Sequence, residues 1–362
     1  MNKINRTVQI FLAAFWAAGL ILALFAPTAA DRSVPEGSSP VMDMTGAPVY
    51  LSAPPERVMF FAPVVWHYLT LTENDNSVLS VAAFMVREIR EGLLGRIFPG
   101  LLNIPEALTS MGAIPLSVEQ ALVSRPDLVL SWATASQDYV VVKYPGLVQL
   151  LSVGDIELLL YGLLSEVSRK QDRKKWLFER FKDQMAMVER NAAFSREPVK
   201  IMMINNDDLF VWNSNYKVFN QILKRLNMVN VAENLKPYNG PGNIENLLTF
   251  DPDFILLNYS CRLSVADVYA EPRLRALKAV SGRRVFRMPS GLARMDGPVE
   301  RPLFYLWICR LVYPGSGFGP DFRQVLFDTY RTVYGYELSS DEIAAMLHIT
   351  ENSLSHGYAV FK

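Results

Sequence analysis

The sequence predicts an α/β protein built from two similar lobes that a single long helix joins. Three observations carry this. Half of the 362 residues are apolar and only 20% are charged, so the chain has ample material for a large core. A helix–strand phrase occurs twice at a wide interval. Between the two copies lies a long amphipathic stretch without Pro or Gly.

The repeat is the strongest of these. Ser117-Val118-Glu119-Gln120-Ala121-Leu122 leads to Pro126-Asp127-Leu128-Val129-Leu130. Asn243-Ile244-Glu245-Asn246-Leu247-Leu248 leads, without a gap, to Pro252-Asp253-Phe254-Ile255-Leu256. Each copy opens on a helix-capping residue with a glutamate in the first turn, where the helix dipole favours an anion. Ser117 and Gln120 have capping-box spacing. Pro-Asp then stops the helix and a buried-type apolar strand follows. Two copies so far apart mean two related lobes, since a solenoid would repeat many times at 20–50 residues.

The remaining elements fall into place around the repeat. Val41 to Leu51 reads as a hairpin turning at Thr45-Gly46. Arg57–Phe61, Val78–Phe84 and a stretch near Ile156–Leu160 read as strands of the first lobe. From about Leu164 to Phe194, the apolar residues Leu177, Phe181, Met185, Val188 and Ala192 step by 4, 4, 3 and 4. That is one stripe of a helix, and about 30 residues of helix reach roughly 45 Å. The second lobe opens with the strand Val199–Ile204, then the helix Val218–Leu226, the repeat and the strand Arg284–Met288. Helices follow at Phe304–Leu311, Phe322–Tyr334 and Asp341–Leu347, and Ser339 with Glu342 has capping-box spacing. The expected division is 1–30, 31–163, 164–194 for the joining helix, and 195–362.

Residues 1–30 form an address rather than part of the fold. Lys3 and Arg6 precede an uncharged apolar run that ends in Pro27-Thr28-Ala29-Ala30, the pattern of a cleavable secretory signal. An uncleaved membrane anchor is the alternative, because the run is long enough to span a bilayer. No cysteine follows it for lipid attachment. Without it, 34 basic residues face 36 acidic ones, and no basic excess points to nucleic acid. Three histidines and two cysteines, scattered along the chain, do not make a His/Cys zinc site. Cys261 and Cys309 are expected as independent thiols. No phosphate-cradling Gly-Lys-Ser/Thr loop, Gly-x-Ser-x-Gly elbow or His-Glu-x-x-His helix is present.

Several phrases together resemble one family. They are Val41-Met-Asp-Met-Thr-Gly46, Pro54-Pro-Glu-Arg-Val58, both Glu…Pro-Asp units, and Ala276-Leu-Lys-Ala-Val280 followed by Arg284-Val-Phe286. Their order is similar to that in the iron-siderophore and cobalamin class of periplasmic binding proteins, over roughly residues 41 to 312. The resemblance implies two Rossmann-like lobes on one rigid helix, with a cleft that holds a metal chelate for delivery to an ABC permease in the inner membrane. It implies a periplasmic, monomeric receptor and not an enzyme, with no cofactor beyond a bound cargo such as an iron chelate. In the family, the glutamates matching Glu119 and Glu245 meet arginines of the permease.

On this expectation the ligand lies where strand ends of the two lobes face each other. The first lobe would supply Trp66, His67, Tyr68, Arg87 and Trp132. The second would supply Asn205, Asp208, Trp212, Tyr259, Arg262, Arg294 and Arg301. Aromatic faces suit a flat chelate and arginine forks suit anionic oxygens. His67 is the one residue singled out as an axial metal ligand, against a plain hydrogen-bonded or solvated histidine at a helix start. Met295 stands where related proteins often carry a Trp, which weakens an aromatic contact there. Ferric siderophore leads among the cargoes, with haem, cobalamin or a metal oxyanion as alternatives on the same fold. An exported α/β enzyme using the cleft is the alternative of another class.

Overall fold

A computed structural model describes residues 40–62, 64–104, 123–132, 147–150, 156–191, 197–205, 217–234, 244–259, 261–292, 295, 299–314 and 321–362. In the first lobe, β1 (Val41–Met42) and β2 (Pro48–Val49) form a small antiparallel hairpin. Its turn is set by Asp43, whose carboxylate accepts from the amides of Thr45 at 2.9 Å and Ala47 at 2.8 Å. Gly46 takes φ 84° there, a conformation glycine adopts without a Cβ penalty.

The chain continues through β3 (Val58–Phe60), α1 (Val65–Thr72), β4 (Val78–Ser80), α2 (Val86–Glu91), α3 (Leu93–Ile97), β5 (Leu128–Trp132) and β6 (Leu147–Leu150). Next come α4 (Ile156–Val167) and α5 (Gln171–Asn191). The second lobe runs β7 (Val199–Ile204), α6 (Lys217–Arg225), β8 (Met228–Asn230), α7 (Ile244–Phe250), β9 (Phe254–Leu257), α8 (Val265–Ala270), α9 (Lys278–Ser281) and β10 (Val285–Arg287). The C-terminal helices are α10 (Arg301–Val312), α11 (Phe322–Tyr334), α12 (Ser340–Met346) and α13 (Ile349–Asn352).

The two lobes share one topology. Each has a four-stranded parallel sheet, ordered β4-β3-β5-β6 in the first and β8-β7-β9-β10 in the second. Each opening strand therefore lies inside its sheet, with the second strand on one side and the third on the other. The repeated Pro-Asp explains how the third strand finds the first. Asp127 accepts from the amides of Glu56 and Arg57 at 2.8 and 3.0 Å, at the entrance to β3. Asp253 accepts from the amide of Lys200 at 3.0 Å, in β7. In both lobes the same carboxylate fixes the register of the central pair.

Strand periodicity divides the second lobe's interior. Ile201, Met203, Phe254, Leu256 and Phe286 join the main core. Their neighbours Met202, Ile204, Ile255, Leu257 and Val285 belong to a separate cluster with α8 and α9. Successive strand side chains point to opposite faces, and a parallel sheet covered on both faces reads as a continuous apolar run. The main core extends through both lobes, α5 and the C-terminal helices.

The joining segment differs from expectation. The stretch near Ile156–Leu160 is helix, not strand, and the edge strand is β6 instead. Ile156–Val167 spaces its apolar residues too densely for the helical stripe to stand out. The expected single rod from about 164 to 194 is interrupted between α4 and α5. Arg169 takes φ 54° there, and the amide of Lys170 donates to the carbonyl of Ser165 at 2.8 Å. This closes a helix end that glycine usually makes. The 21 residues of α5 span about 31 Å. Leu177, Met185 and Val188 of the expected stripe are buried, whereas Ala192 lies outside the described residues.

The C-terminal helices cross back onto the first lobe. Arg173 on α5 donates to Glu73 at 2.6 Å and to the carbonyl of Val333 at 2.6 Å, and lies 4.5 Å over the ring of Trp176. Thr70 and Tyr334 pair their hydroxyls at 3.3 Å, and Gln184 donates to Thr329 at 3.1 Å. Ser339 and Glu342 form the expected capping box. Cys261 and Cys309 are both buried thiols, not joined to each other.

Candidate functional site

The parallel strands of both lobes release their loops at their carboxyl ends, where α/β sheets hold ligands. A cavity of about 350 Å³ lies there. The first lobe contributes Arg87, Glu88 and Arg96 from α2 and α3, which follow β4. The second contributes Tyr259 after β9, Ser290 after β10, and His348 between α12 and α13. The cavity therefore spans the seam between the lobes.

Its wall is built on well-anchored groups. Arg96 pairs with Glu342 at 2.9 Å. Glu342 also accepts from the hydroxyl of Tyr336 at 2.7 Å and from Ser339. Burial works against the Glu342 charge, yet the bonds from Ser339, Tyr336 and Arg96 hold its carboxyl down at about 2. Arg87 and Arg96 are about equally exposed, and the guanidinium of Arg87 lies 3.5 Å from Glu88. His348 adopts φ 48°, and burial, reinforced by the charge of Arg287, lowers its imidazole to about 4.

Arg287 organises the floor behind Tyr259. It is buried on β10, and its guanidinium reaches Glu351 through Nε at 2.7 Å and through Nη2 at 3.0 Å. Nη1 donates to the carbonyls of Asn258 at 2.9 Å and Cys261 at 2.7 Å, and Nη2 also to that of Leu263. The loop that carries Tyr259 is thereby tied to α13, which His348 precedes. Sequence reading did not single out Arg287, because an arginine at a strand end next to a charged pair looks like a solvated one. The usable signal was its place inside the apolar run Val285-Phe286.

The residues expected at the site divide into three groups. Arg87 and Tyr259 line the cavity together. Trp66, His67 and Tyr68 do not: every residue of α1 is buried. His67 packs edge-on against Tyr161, with Nδ1 3.4 Å from its hydroxyl, and Tyr68 packs against Phe60. Core packing thus accounts for these three, because α1 is buried on every face, packed against β3 and α4. Asn205 is half-buried at the end of β7, Arg262 is exposed beyond β9, and Arg301 is half-buried at the start of α10. Trp132 ends β5. Asp208, Trp212, Arg294 and Glu119 lie outside the described residues. Glu245 is exposed at the start of α7. A helix that leads into a parallel strand runs antiparallel to it, so Glu245 lies at the cavity end of its lobe. Among the described residues, no group of three or more His, Cys, Asp or Glu is arranged to hold a metal ion directly.

Comparison with known proteins follows from this geometry. Residues 161–292 match the family model described as periplasmic binding protein. The fold is that of the class III periplasmic binding proteins. A periplasmic solute-binding protein of Veillonella parvula superposes with a TM-score of 0.75 at 23% identity, covering 87% of this chain and 98% of the other. Helicobacter pylori CeuE, solved with a nickel–histidine complex, gives 0.68 at 16% identity, covering 86% and 99%. The Haemophilus influenzae molybdate-binding protein MolA gives 0.69 at 17% identity, covering 83% and 99%. No curated protein matches the sequence. MolA is the cognate periplasmic binding protein of an ABC transporter. Among the described residues, no helix is long and apolar enough to cross a membrane.

Proposed function

We propose that this chain is the exported binding protein of an ABC importer, and that it carries a small metal chelate in the cavity between its lobes. One observation carries the reading: a cavity at the carboxyl ends of two matching parallel sheets, walled by both lobes. An iron-siderophore is the leading cargo from the sequence resemblance. The nickel–histidine complex of CeuE and the molybdate of MolA mark the size and metal content of what this fold accepts. Residues 1–30 would direct the chain to the periplasm, and cleavage after Ala30 would release it there.

Glu119 and Glu245 would dock the loaded protein on its permease. One carboxylate per lobe, each expected from the sequence at a helix start, would give a two-point electrostatic match that steers and registers a partner.

Native mass spectrometry of the protein purified from its own periplasm tests the cargo. A bound metal-containing small molecule is the expected result, and turnover of that molecule would favour an enzyme instead. For docking, Glu119→Lys with Glu245→Lys should abolish uptake while leaving binding intact. Unchanged uptake would remove the docking role.

A further inference from the structure

We propose that Glu88 and His348 form a subsite for hydrogen-bond donors on the cargo, so that the cavity selects a neutral or cationic chelate bearing N–H or O–H groups over a metal oxyanion. This rests on the reading that the cavity holds the cargo, and it adds the chemical class of that cargo.

The first observation is Glu88. Its side chain is only 14% exposed. Oε1 has a long contact of 3.5 Å with Arg87, and Oε2 is buried with no hydrogen-bond partner. A buried acceptor left unmade is costly, more so when it is charged. The missing partner is a donor, and Glu88 lines the cavity.

The second observation comes from the other lobe. His348 lines the same cavity, and its Nε2 is also buried without a partner. Its backbone is fixed on both sides: its amide donates to the carbonyl of Ala345 at 3.0 Å, and its carbonyl accepts from the amide of Asn352 at 2.9 Å. The imidazole stays neutral at ordinary pH, so it offers a cargo anion no positive charge. With the proton on Nδ1, the bare Nε2 is a second acceptor.

The third observation is the charge of the wall. Glu88, Glu91 and Glu342 face Arg87 and Arg96, so this wall is one unit negative. Arg96 is committed to Glu342, and the guanidinium of Arg87 is 58% exposed. An oxyanion, which brings acceptors only, would meet a carboxylate already short of a donor. A chelate with amine, imidazole or hydroxyl hydrogens satisfies both bare atoms and brings no opposing charge.

Isothermal titration with two probes tests this. The nickel(II) bis-histidine complex is neutral and presents N–H donors, whereas molybdate is a dianion with none. The complex should bind and molybdate should not. Glu88→Gln, which keeps the shape, should weaken the complex at least about tenfold, because a neutral amide is a weaker acceptor than a carboxylate, while the empty protein still unfolds cooperatively. His348→Asn, which tolerates the left-handed backbone, should weaken the complex several-fold. Molybdate binding as tightly as the complex, no binding of either probe, or unchanged affinity in both variants would overturn the proposal. A metal-bearing cargo found by mass spectrometry alongside any of those results would leave the receptor reading standing. Absence of any cargo would instead count against the receptor reading itself.

Discussion

Arg287 sits on the last strand of the second sheet with every guanidinium hydrogen taken, two by Glu351 and three by carbonyls of the loop after β9. An arginine carries five such donors, and a buried one is tolerated only when they are satisfied. His348, whose imidazole feels the charge of Arg287, shows the opposite: a buried nitrogen with no hydrogen-bond partner. Its titration should be visible in stability. The folded value, about 4, lies below the ordinary 6.5, so the unfolded chain takes up the proton first as the pH falls. The His348 contribution is whole above about pH 6.5 and drains away as the pH drops toward 4. His348→Asn should flatten the melting-temperature profile across that window, by an amount on the order of 2 kcal/mol at pH 4 after allowance for partial solvent screening. Parallel profiles of the two proteins would show that the imidazole charges freely in the fold. Arg287 closes the apolar run Val285-Phe286 and His348 follows Met346-Leu347, which hints at burial, but the roles of both come only from partners distant in the chain.

At the scale of elements, the repeated Pro-Asp is where sequence and structure meet most directly. It was readable as a helix stop before a strand, which it is. That its carboxylate reaches the neighbouring strand was not readable, because the partners Arg57 and Lys200 lie about seventy and fifty residues earlier in the chain. Asp127→Ala and Asp253→Ala should each cost about 1–2 kcal/mol in chemical denaturation, with Asp127 the larger, since it holds two amides rather than one. Equal and negligible costs would mean that sheet packing alone sets the register. The parallel strands were found because buried strands are uniformly apolar. The same property hid α4, whose run Ile156–Leu160 is as apolar as a strand. The helix break at Arg169 was hidden for another reason: a left-handed arginine leaves no mark of the kind glycine leaves. At the site, the places of Arg87 and Tyr259 beyond the ends of β4 and β9 followed from the strand order. The burial of Trp66, His67 and Tyr68 did not, because a helix enclosed on all sides has no polar face to reveal which way it turns.

Over the whole molecule, the two lobes are less separate than their matching topology implies. One core runs through both, and Arg173 joins α1, α5 and α11 by contacts to Thr70, Glu73 and Val333. Arg173→Ala should therefore lower global stability by about 2 kcal/mol, and the loss should appear in a single unfolding transition monitored from either lobe. Two resolved transitions would show that the lobes fold independently. The same bracing leaves small room for a hinge, since closure needs loop or element-end residues free to change their backbone angles.

The return of the C-terminal helices has a consequence for the order in which the protein can be made. Phe98 meets Tyr334 ring to ring, Thr70 shares its hydroxyl with the same tyrosine, and Arg96 waits for Glu342. The amino-terminal half thus stays an unfinished surface until residues 321–362 have been delivered. On the proposed route through a membrane, that delay would act as a timer written into the architecture: premature compaction would be held off until the last segment arrives to seal both halves at once.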